Sequence, residues 1–224
     1  MFLCRTLFFA SFVALSGVTC LAQSQAPASH GVIPLHPMAP EQRVEKVWGD
    51  PSKPGEPFVI RIHNDPGYIV LPHFHLIDEN ITVVQGSWSV AMGKRFDRAT
   101  LEPMELGSFG IVAKNMAHFA FSKTETIVQV HGTGPFSSTV VDPVYELTEK
   151  GVFVLTSLLM PGTPTTSAPA DCFALKVGAS VRGELGEGNV VRARCSPANQ
   201  ITQCWIQKAD SSRFWAVFRD LKPM

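Results

Sequence analysis

Short apolar runs separated by turn-forming residues dominate the chain between residues 44 and 143. The runs are rich in β-branched and aromatic residues, and Gly, Pro, Asn and Asp cluster between them. This spacing is typical of an antiparallel β-barrel, and no stretch has the 3.6-residue period of an amphipathic helix. We therefore predict an all-β fold with a barrel over residues 44–150. Its strands are expected at 58–62, 68–71, 81–84, 87–91, 108–112 and 126–130.

A second β-rich segment follows a stretch of linker composition. Residues 151–170 start with an apolar run that suits one strand or short helix docked on the barrel, and they end in Pro, Thr and Ser. Residues 171–224 contain further apolar runs between Gly- and Ser-rich turns, which predict a small C-terminal β module. Its pattern is faintly similar to a five-stranded SH3-like barrel. The expected strands are 173–177, 190–194, 203–207 and 214–218.

The N-terminus has the pattern of an export signal. Arg5 precedes an apolar stretch, and small residues follow at a cleavage position, so we predict a signal peptide over residues 1–22. Residues 23–43 have the composition of a mobile leader. The mature protein is expected in the periplasm or outside the cell. The competing interpretation is a lipoprotein signal in which Cys20 is acylated, although Gly17 fits such a signal poorly.

Composition and charge narrow the range of partners. Hydrophobic residues make up 45% of the 224 residues and charged residues 17%, which suits a folded β-rich domain. The formal net charge is zero and Lys and Arg are scattered, so the chain lacks a basic stripe for nucleic acid. No apolar run of the mature chain is long enough to span a membrane. We expect a small, weakly charged molecule as the ligand.

Three cysteines follow the predicted cleavage site: Cys172, Cys195 and Cys204. An oxidising compartment favours one disulfide among them and leaves one thiol. We predict the pair Cys195–Cys204, because residues 196–199 supply a turn that brings the flanking strands together.

Candidate metal ligands concentrate in His73-Phe74-His75. Side chains alternate along a strand, so both imidazoles point to the same face. Glu79 follows after a turn and His118 after a further hairpin. Three imidazoles and one carboxylate suit manganese, iron, nickel, copper or zinc, and suit calcium or magnesium poorly. An isolated His-x-His pair is commonly structural, so the prediction of one divalent transition metal depends on all four residues.

The spacing of these residues resembles the first motif of the cupin family. That motif has a glycine, five residues, His-x-His, three or four residues, Glu, six residues and a second glycine, which segment 67–86 matches. Segment 107–118 resembles the second motif, with His118 at the metal-ligand position. Ala113, Asn115 and Ser122 stand where the family usually has Pro, Gly and Asn.

The resemblance covers about residues 45–145 and implies a cupin fold, a double-stranded β-helix or jelly-roll barrel. It also implies a metal at His73, His75, Glu79 and His118, and a homodimer in the manner of many cupins. Cupins include dioxygenases, decarboxylases, isomerases and plain binding proteins, so the resemblance does not determine a reaction.

Two function classes remain open from the sequence. The first is a metal-dependent enzyme of the oxygenase or isomerase type, in which the ion keeps positions for water or substrate. The second is a non-catalytic module in which the ion holds a small ligand. No general base is identifiable beside the metal ligands, so no catalytic residue is assigned. We expect the pocket to be lined by Tyr68, Val83, Gln129 and His131.

Overall fold

The computed structural model of the protein describes residues 43–170 and 172–224, which form antiparallel strands joined by turns and short 3-10 helices. No helix in this part of the chain is long and apolar enough to cross a membrane. The all-β prediction is confirmed. In chain order the strands are β1 (Val44–Trp48), β2 (Pro57–Asn64), β3 (Ile69–Phe74), β4 (Glu79–Gln85), β5 (Trp88–Met92), β6 (Glu102–Met104), β7 (Phe109–Val112), β8 (His118–Ser122), β9 (Thr126–Thr133), β10 (Thr139–Val140), β11 (Val144–Thr148), β12 (Gly151–Leu155), β13 (Thr163–Thr165), β14 (Ser180–Gly183), β15 (Gly186–Ser196), β16 (Ile201–Gln207), β17 (Arg213–Val217) and β18 (Lys222–Pro223).

The predicted signal peptide lies outside the described residues. The predicted leader also lies outside them, apart from Arg43, which immediately precedes β1. Cys20 and its proposed acylation therefore stay predictions from the sequence.

Two five-stranded sheets form the barrel. One sheet has the strand order β1-β2-β9-β4-β7 and the other β10-β3-β8-β5-β6. Neighbours in both sheets come from distant parts of the chain, as in a jelly roll, and the cupin-type barrel that the sequence predicts is present. The main apolar core lies between the sheets and includes Phe58, Ile81, Val83, Trp88 and Val130.

All six predicted strands of the barrel coincide with observed ones to within a few residues, but β1, β6, β8 and β10 were not predicted. The strand predicted at 173–177 is wrong, because these residues form bends and turns. Phe173 and Leu175 instead pack beside an apolar cluster of the C-terminal strands. Their alternation therefore reflects the packing of a loop.

A third sheet crosses the predicted boundary at residue 170. Its strand order is β13-β12-β11-β15-β14-β18, and β16 pairs with both β15 and β17. The five strands after residue 171 agree in number with the predicted SH3-like module. However, β15 also pairs with β11, and the predicted linker contributes β13. The C-terminal strands therefore extend a sheet that starts next to the barrel.

Backbone hydrogen bonds and one amide side chain join the third sheet to the barrel. The Gln203 amide nitrogen donates to the carbonyl of Ile69 at 2.9 Å, and its oxygen accepts from the Ile69 amide at 3.1 Å. The backbone N–H of Trp215 donates to the carbonyl of Pro66 at 2.7 Å. Gln203 thus pairs with β3 much as a neighbouring strand would.

A buried charged group lies at the same contact. Arg194 donates from Nε to Oε1 of Glu146 and from Nη1 to the Tyr68 hydroxyl, both at 2.7 Å. Arg192 adds a longer contact of 3.7 Å to Glu146. We call Tyr68, Glu146 and Arg194 the arginine cluster.

The disulfide joins Cys172 to Cys195, and the predicted Cys195–Cys204 pair is wrong. Cys204 lies opposite Ala193 in the β15–β16 ladder, whereas Cys195 lies opposite Thr202. The two cysteines are therefore diagonal neighbours, roughly 7 Å apart, and a disulfide needs a Cβ separation of about 4 Å. Cys204 is a buried free thiol.

Candidate metal centre

The structure brings together four of the residues that the sequence selects. His73 on β3 lies directly opposite His118, the first residue of β8. His75 follows β3 and Glu79 begins β4, and all four side chains are buried. The ligand nitrogens of the three histidines lie within 4.8 Å of one another. Oε2 of Glu79 is 3.4 Å from Nε2 of His75 and 3.2 Å from Nε2 of His118. We call these four residues the histidine cluster.

A backbone carbonyl orients each histidine ring through Nδ1. The distances are 2.9 Å from His73 to Leu71, 2.7 Å from His75 to Ser137 and 3.2 Å for His118. A carbonyl oxygen can only accept, so Nδ1 carries the proton and Nε2 presents its lone pair. Metal-binding histidines are commonly held in this way.

Three atoms of the histidine cluster face one another without partners. Nε2 of His75, Nε2 of His118 and Oε2 of Glu79 are buried and have no hydrogen-bond partner among the described residues. Two nitrogen lone pairs and a carboxylate oxygen repel each other unless a metal ion or protons lie between them. Ligand atoms about 2.1 Å from an ion lie roughly 3.0–3.4 Å apart, which suits the distances between Glu79 and both histidines. The cluster therefore fits a transition-metal ion.

Burial and mutual contact shift the protonation of the cluster towards the forms that bind metal. Burial, followed by the neighbouring His118 and His75, lowers the pKa of His73 to about 3. Burial raises the pKa of the Glu79 carboxyl. Its contacts with His118 and His75 outweigh this effect, so the net shift of the pKa is downward. A neutral imidazole and an ionised carboxylate are the states that bind a metal ion.

The histidine cluster opens into a small cavity of about 50 Å³. A buried water needs roughly 10–15 Å³ on this scale, so the cavity has room for only a few water-sized groups. Its polar lining outside the cluster includes Arg43, Asn64, Tyr68 and Ser138. The apolar lining comprises Val44, Ile62, Val70, Trp88, Val128, Leu158 and Leu159.

Only Tyr68 of the four predicted pocket residues lines this cavity. Val83 is fully buried in the apolar core. On β9, Val128 points into the cavity. Side chains alternate along a strand, so Gln129 and His131 lie on its opposite, outer face. The prediction placed these two residues on the wrong face, because alternation along a strand does not say which face is inward.

A register shift explains how Tyr68 and the histidines line one cavity. Val70 and His73 are an odd number of residues apart, yet both line it. The pairing of β3 with β8 shifts between these two residues, so the inward face changes from even to odd positions. Leu71 lies within the shifted stretch and packs instead in a cluster with residues of the third sheet. The sequence signal for this shift is Pro72, since a proline inside a strand is typical of an edge strand or a bulge.

Two arginines act on the Tyr68 hydroxyl. Burial raises the pKa of the phenol, but Arg43 and Arg194 lower it more strongly, and the net direction is downward. The guanidinium of Arg43 stacks over the Tyr68 ring, 3.8 Å from its centroid. Tyr68 therefore belongs to both the cavity wall and the arginine cluster.

The fold is thus a cupin-type barrel, and the histidine cluster inside it is a candidate metal site. No protein-family model matches the chain, and no curated protein matches it. Solved structures with similarity to it include a cupin-2 domain protein from Shewanella frigidimarina, with 14% identity and a TM-score of 0.33 over 41% of this chain and 79% of the other. An RmlC-like cupin protein from Desulfovibrio desulfuricans has 18% identity and a TM-score of 0.36, covering 46% and 93%. Salicylate 1,2-dioxygenase from Pseudaminobacter salicylatoxidans has 11% identity and a TM-score of 0.33, covering 38% and 25%.

Proposed function

We propose that the protein is an exported, metal-dependent enzyme that acts on a small molecule. One divalent transition-metal ion would be held by His73, His75, Glu79 and His118. The observation that supports this proposal is the group of buried, unpartnered Nε2 and Oε2 atoms, which a cation would satisfy. The bound ion would supply Lewis acidity and, in the case of iron, copper, nickel or manganese, redox chemistry. Export rests on the N-terminal pattern of the sequence.

The lining of the cavity favours an oxygenase type over an isomerase type. Outside the histidine cluster, its titratable side chains among the described residues are Arg43 and Tyr68. Arg43 is a permanent cation, and the Tyr68 hydroxyl already accepts a hydrogen bond from Arg194. Arg43 cannot take a proton from a substrate, as an isomerase requires, and Tyr68 could do so only as a phenolate, whose oxygen Arg194 already engages in the arginine cluster. A non-catalytic module that holds a small ligand through the same ion is the second candidate, because it needs no base.

Metal analysis of protein purified without a histidine tag tests the proposed site. We expect about one transition-metal ion per chain and a higher melting temperature with metal, since an ion that binds only the folded state adds about 2.7 kcal/mol at a hundredfold excess over its Kd. His75→Ala should lose most of the metal. His131→Ala is the matched control, because it removes a histidine from the outer face of β9. Wild-type protein that neither carries nor takes up metal would contradict the proposal.

Turnover distinguishes the two function classes. The protein is loaded separately with iron(II), manganese(II), nickel(II) and zinc(II), and oxygen uptake and products are followed with small enols, diketones, hydroxy acids and phenolic acids. We expect turnover with iron and none with zinc, the result for an oxygenase. Turnover with zinc would instead indicate Lewis-acid chemistry. Tight binding of a ligand without turnover on any metal would favour the binding module.

A further inference from the structure

Arg43 has an unused hydrogen-bond donor in the cavity of the histidine cluster. Its Nη2 donates to Oδ1 of Asn64 at 2.8 Å, and its guanidinium stacks on the Tyr68 ring. Nη1 is buried and has no hydrogen-bond partner in the described part of the chain. None of the ion pairs there includes Arg43. A buried guanidinium nitrogen without an acceptor is costly and requires an explanation.

A second donor in the same cavity has no acceptor either. Trp88 lines the cavity, and its indole N–H is buried without a partner among the described residues. The remaining lining is mostly apolar, with Val70, Val128 and Leu159 among its residues. The cavity therefore offers two N–H donors and a candidate metal site within a largely apolar wall.

The net charge of the cavity indicates which kind of ligand these two donors would bind. A divalent ion would carry more charge than the Glu79 carboxylate neutralises, and Arg43 adds a further positive charge. The only carboxylate that lines the cavity among the described residues is Glu79. An anionic ligand would neutralise the excess, and the planar guanidinium suits a carboxylate, with which it can form two parallel hydrogen bonds.

We infer that the cavity takes a small monocarboxylate, whose carboxylate binds Arg43 and whose second oxygen group binds the metal. This inference rests on the proposed function, since the second contact needs the ion. The apolar wall excludes a second charged group, and the volume of about 50 Å³ restricts the ligand to a few heavy atoms. The weakly charged molecule predicted from the sequence is thus narrowed to a singly charged acid.

Glycolate and glycolamide provide a matched pair of probes, because they differ only in the carboxylate. Full-length protein loaded with zinc, with its metal content measured first, is titrated with each probe in a calorimeter. We expect glycolate to bind at least about tenfold more tightly, since a charge-assisted pair is stronger than a neutral one. Equal affinities in metal-loaded wild-type protein would overturn the inference and leave the metal site intact.

Variants of Arg43 test whether this residue causes the preference for glycolate over glycolamide. Arg43→Met should weaken glycolate binding about tenfold or more, leave glycolamide binding within about twofold, and keep the metal content. Arg43→Lys should retain part of the preference, because it keeps the charge without the planar fork. Arg219→Met removes an exposed arginine and should change neither probe. An unchanged glycolate affinity in Arg43→Met would overturn the role of Arg43.

A metal-free arm separates this inference from the proposed function. Protein that takes up no metal refutes the metal site, and it is then titrated with acetate and acetamide. A preference for acetate that Arg43→Met abolishes would support the carboxylate contact without the ion. No preference for acetate would overturn the inference as well.

Discussion

Two buried polar clusters meet at Tyr68, which belongs to the arginine cluster and lines the cavity of the histidine cluster, and their hydrogen bonds differ in completeness. In the arginine cluster, Arg194 holds Glu146 and Tyr68 at 2.7 Å each, so the charges and the hydroxyl have partners. In the histidine cluster, two ring nitrogens and one carboxylate oxygen have none among the described residues. Burying charge is costly in both places, but only the arginine cluster offsets that cost within the protein. The arginine cluster is therefore satisfied within the protein, whereas the unpartnered atoms of the histidine cluster would be satisfied by a cation.

The exposure of the side chains does not distinguish the two clusters. Arg194 is 5% exposed and Glu146 9%, while His75 is 3% exposed and Glu79 4%. Shifted pKa values occur in both, since the pKa of Arg194 is raised by Tyr68 and Glu146 against the lowering effect of burial. Neither exposure nor pKa direction therefore identifies the functional site. What sets the histidine cluster apart is that three unpartnered atoms converge on one point, since single unpartnered atoms also occur elsewhere in the described residues, as at His63 Nε2 and Ser122 Oγ.

The largest expected effect comes from breaking the arginine cluster. Arg194→Met leaves Glu146 buried with only the longer contact to Arg192, and it leaves Tyr68 without its donor. Removing one partner of a buried ion pair costs about 3–5 kcal/mol, so the free energy of unfolding should fall by that order. Denaturant unfolding measures the loss. The metal content per folded chain should stay at the wild-type value.

A double variant tests whether the loss of stability arises from the buried Glu146 carboxylate that no longer has its partner. Arg194→Met combined with Glu146→Leu removes both charges and should recover part of the stability, because an apolar pair of similar volume avoids the cost of desolvation. The assignment of the arginine cluster to structure would be wrong if Arg194→Met kept its stability and lost its metal.

The sequence was sufficient to select the histidine cluster, because three of its four residues lie close together in the chain. His73, His75 and Glu79 lie within seven residues, and a single strand and turn fix their directions. The antiparallel pairing of β3 with β8 then places His118 opposite His73. Their role as metal ligands remains a prediction, but their convergence follows from short-range pattern and one strand pair.

The pocket and the disulfide depend on long-range geometry, and there the predictions were wrong except for Tyr68. The face of β9 that carries Val128 is inward because its sheet packs on the apolar core through that face, which alternation in the chain does not encode. The turn at residues 196–199 favoured Cys204 as the partner of Cys195, but the actual partner, Cys172, lies in a loop that tertiary packing brings to Cys195. Arg43 was assigned to the leader, although it immediately precedes β1 and lines the cavity.

The smaller predicted effect on stability concerns Gly67. This residue belongs to the metal motif in the sequence, and in the structure it lies against the third sheet. Gly67 and Gly107 have nearly identical φ angles, +82° and +83°. A Cβ on Gly67 would collide with the carbonyl oxygen of Trp215, whereas a Cβ on Gly107 has no neighbour within 4 Å. Comparing the two alanine variants therefore cancels the backbone cost and isolates the contact with the third sheet.

Gly107→Ala should lower the free energy of unfolding by about 1–2 kcal/mol, the cost of a left-handed backbone with a Cβ. Gly67→Ala should lower it by about 1–3 kcal/mol more, because the barrel and β17 must separate slightly to admit the methyl group. Denaturant midpoints of the two variants give the difference directly. Both variants should keep one metal ion per chain, since the register shift after Val70 lies between Gly67 and the histidines. Loss of metal in Gly67→Ala alone would show instead that docking of the third sheet shapes the histidine cluster, and the two clusters would then act as one unit.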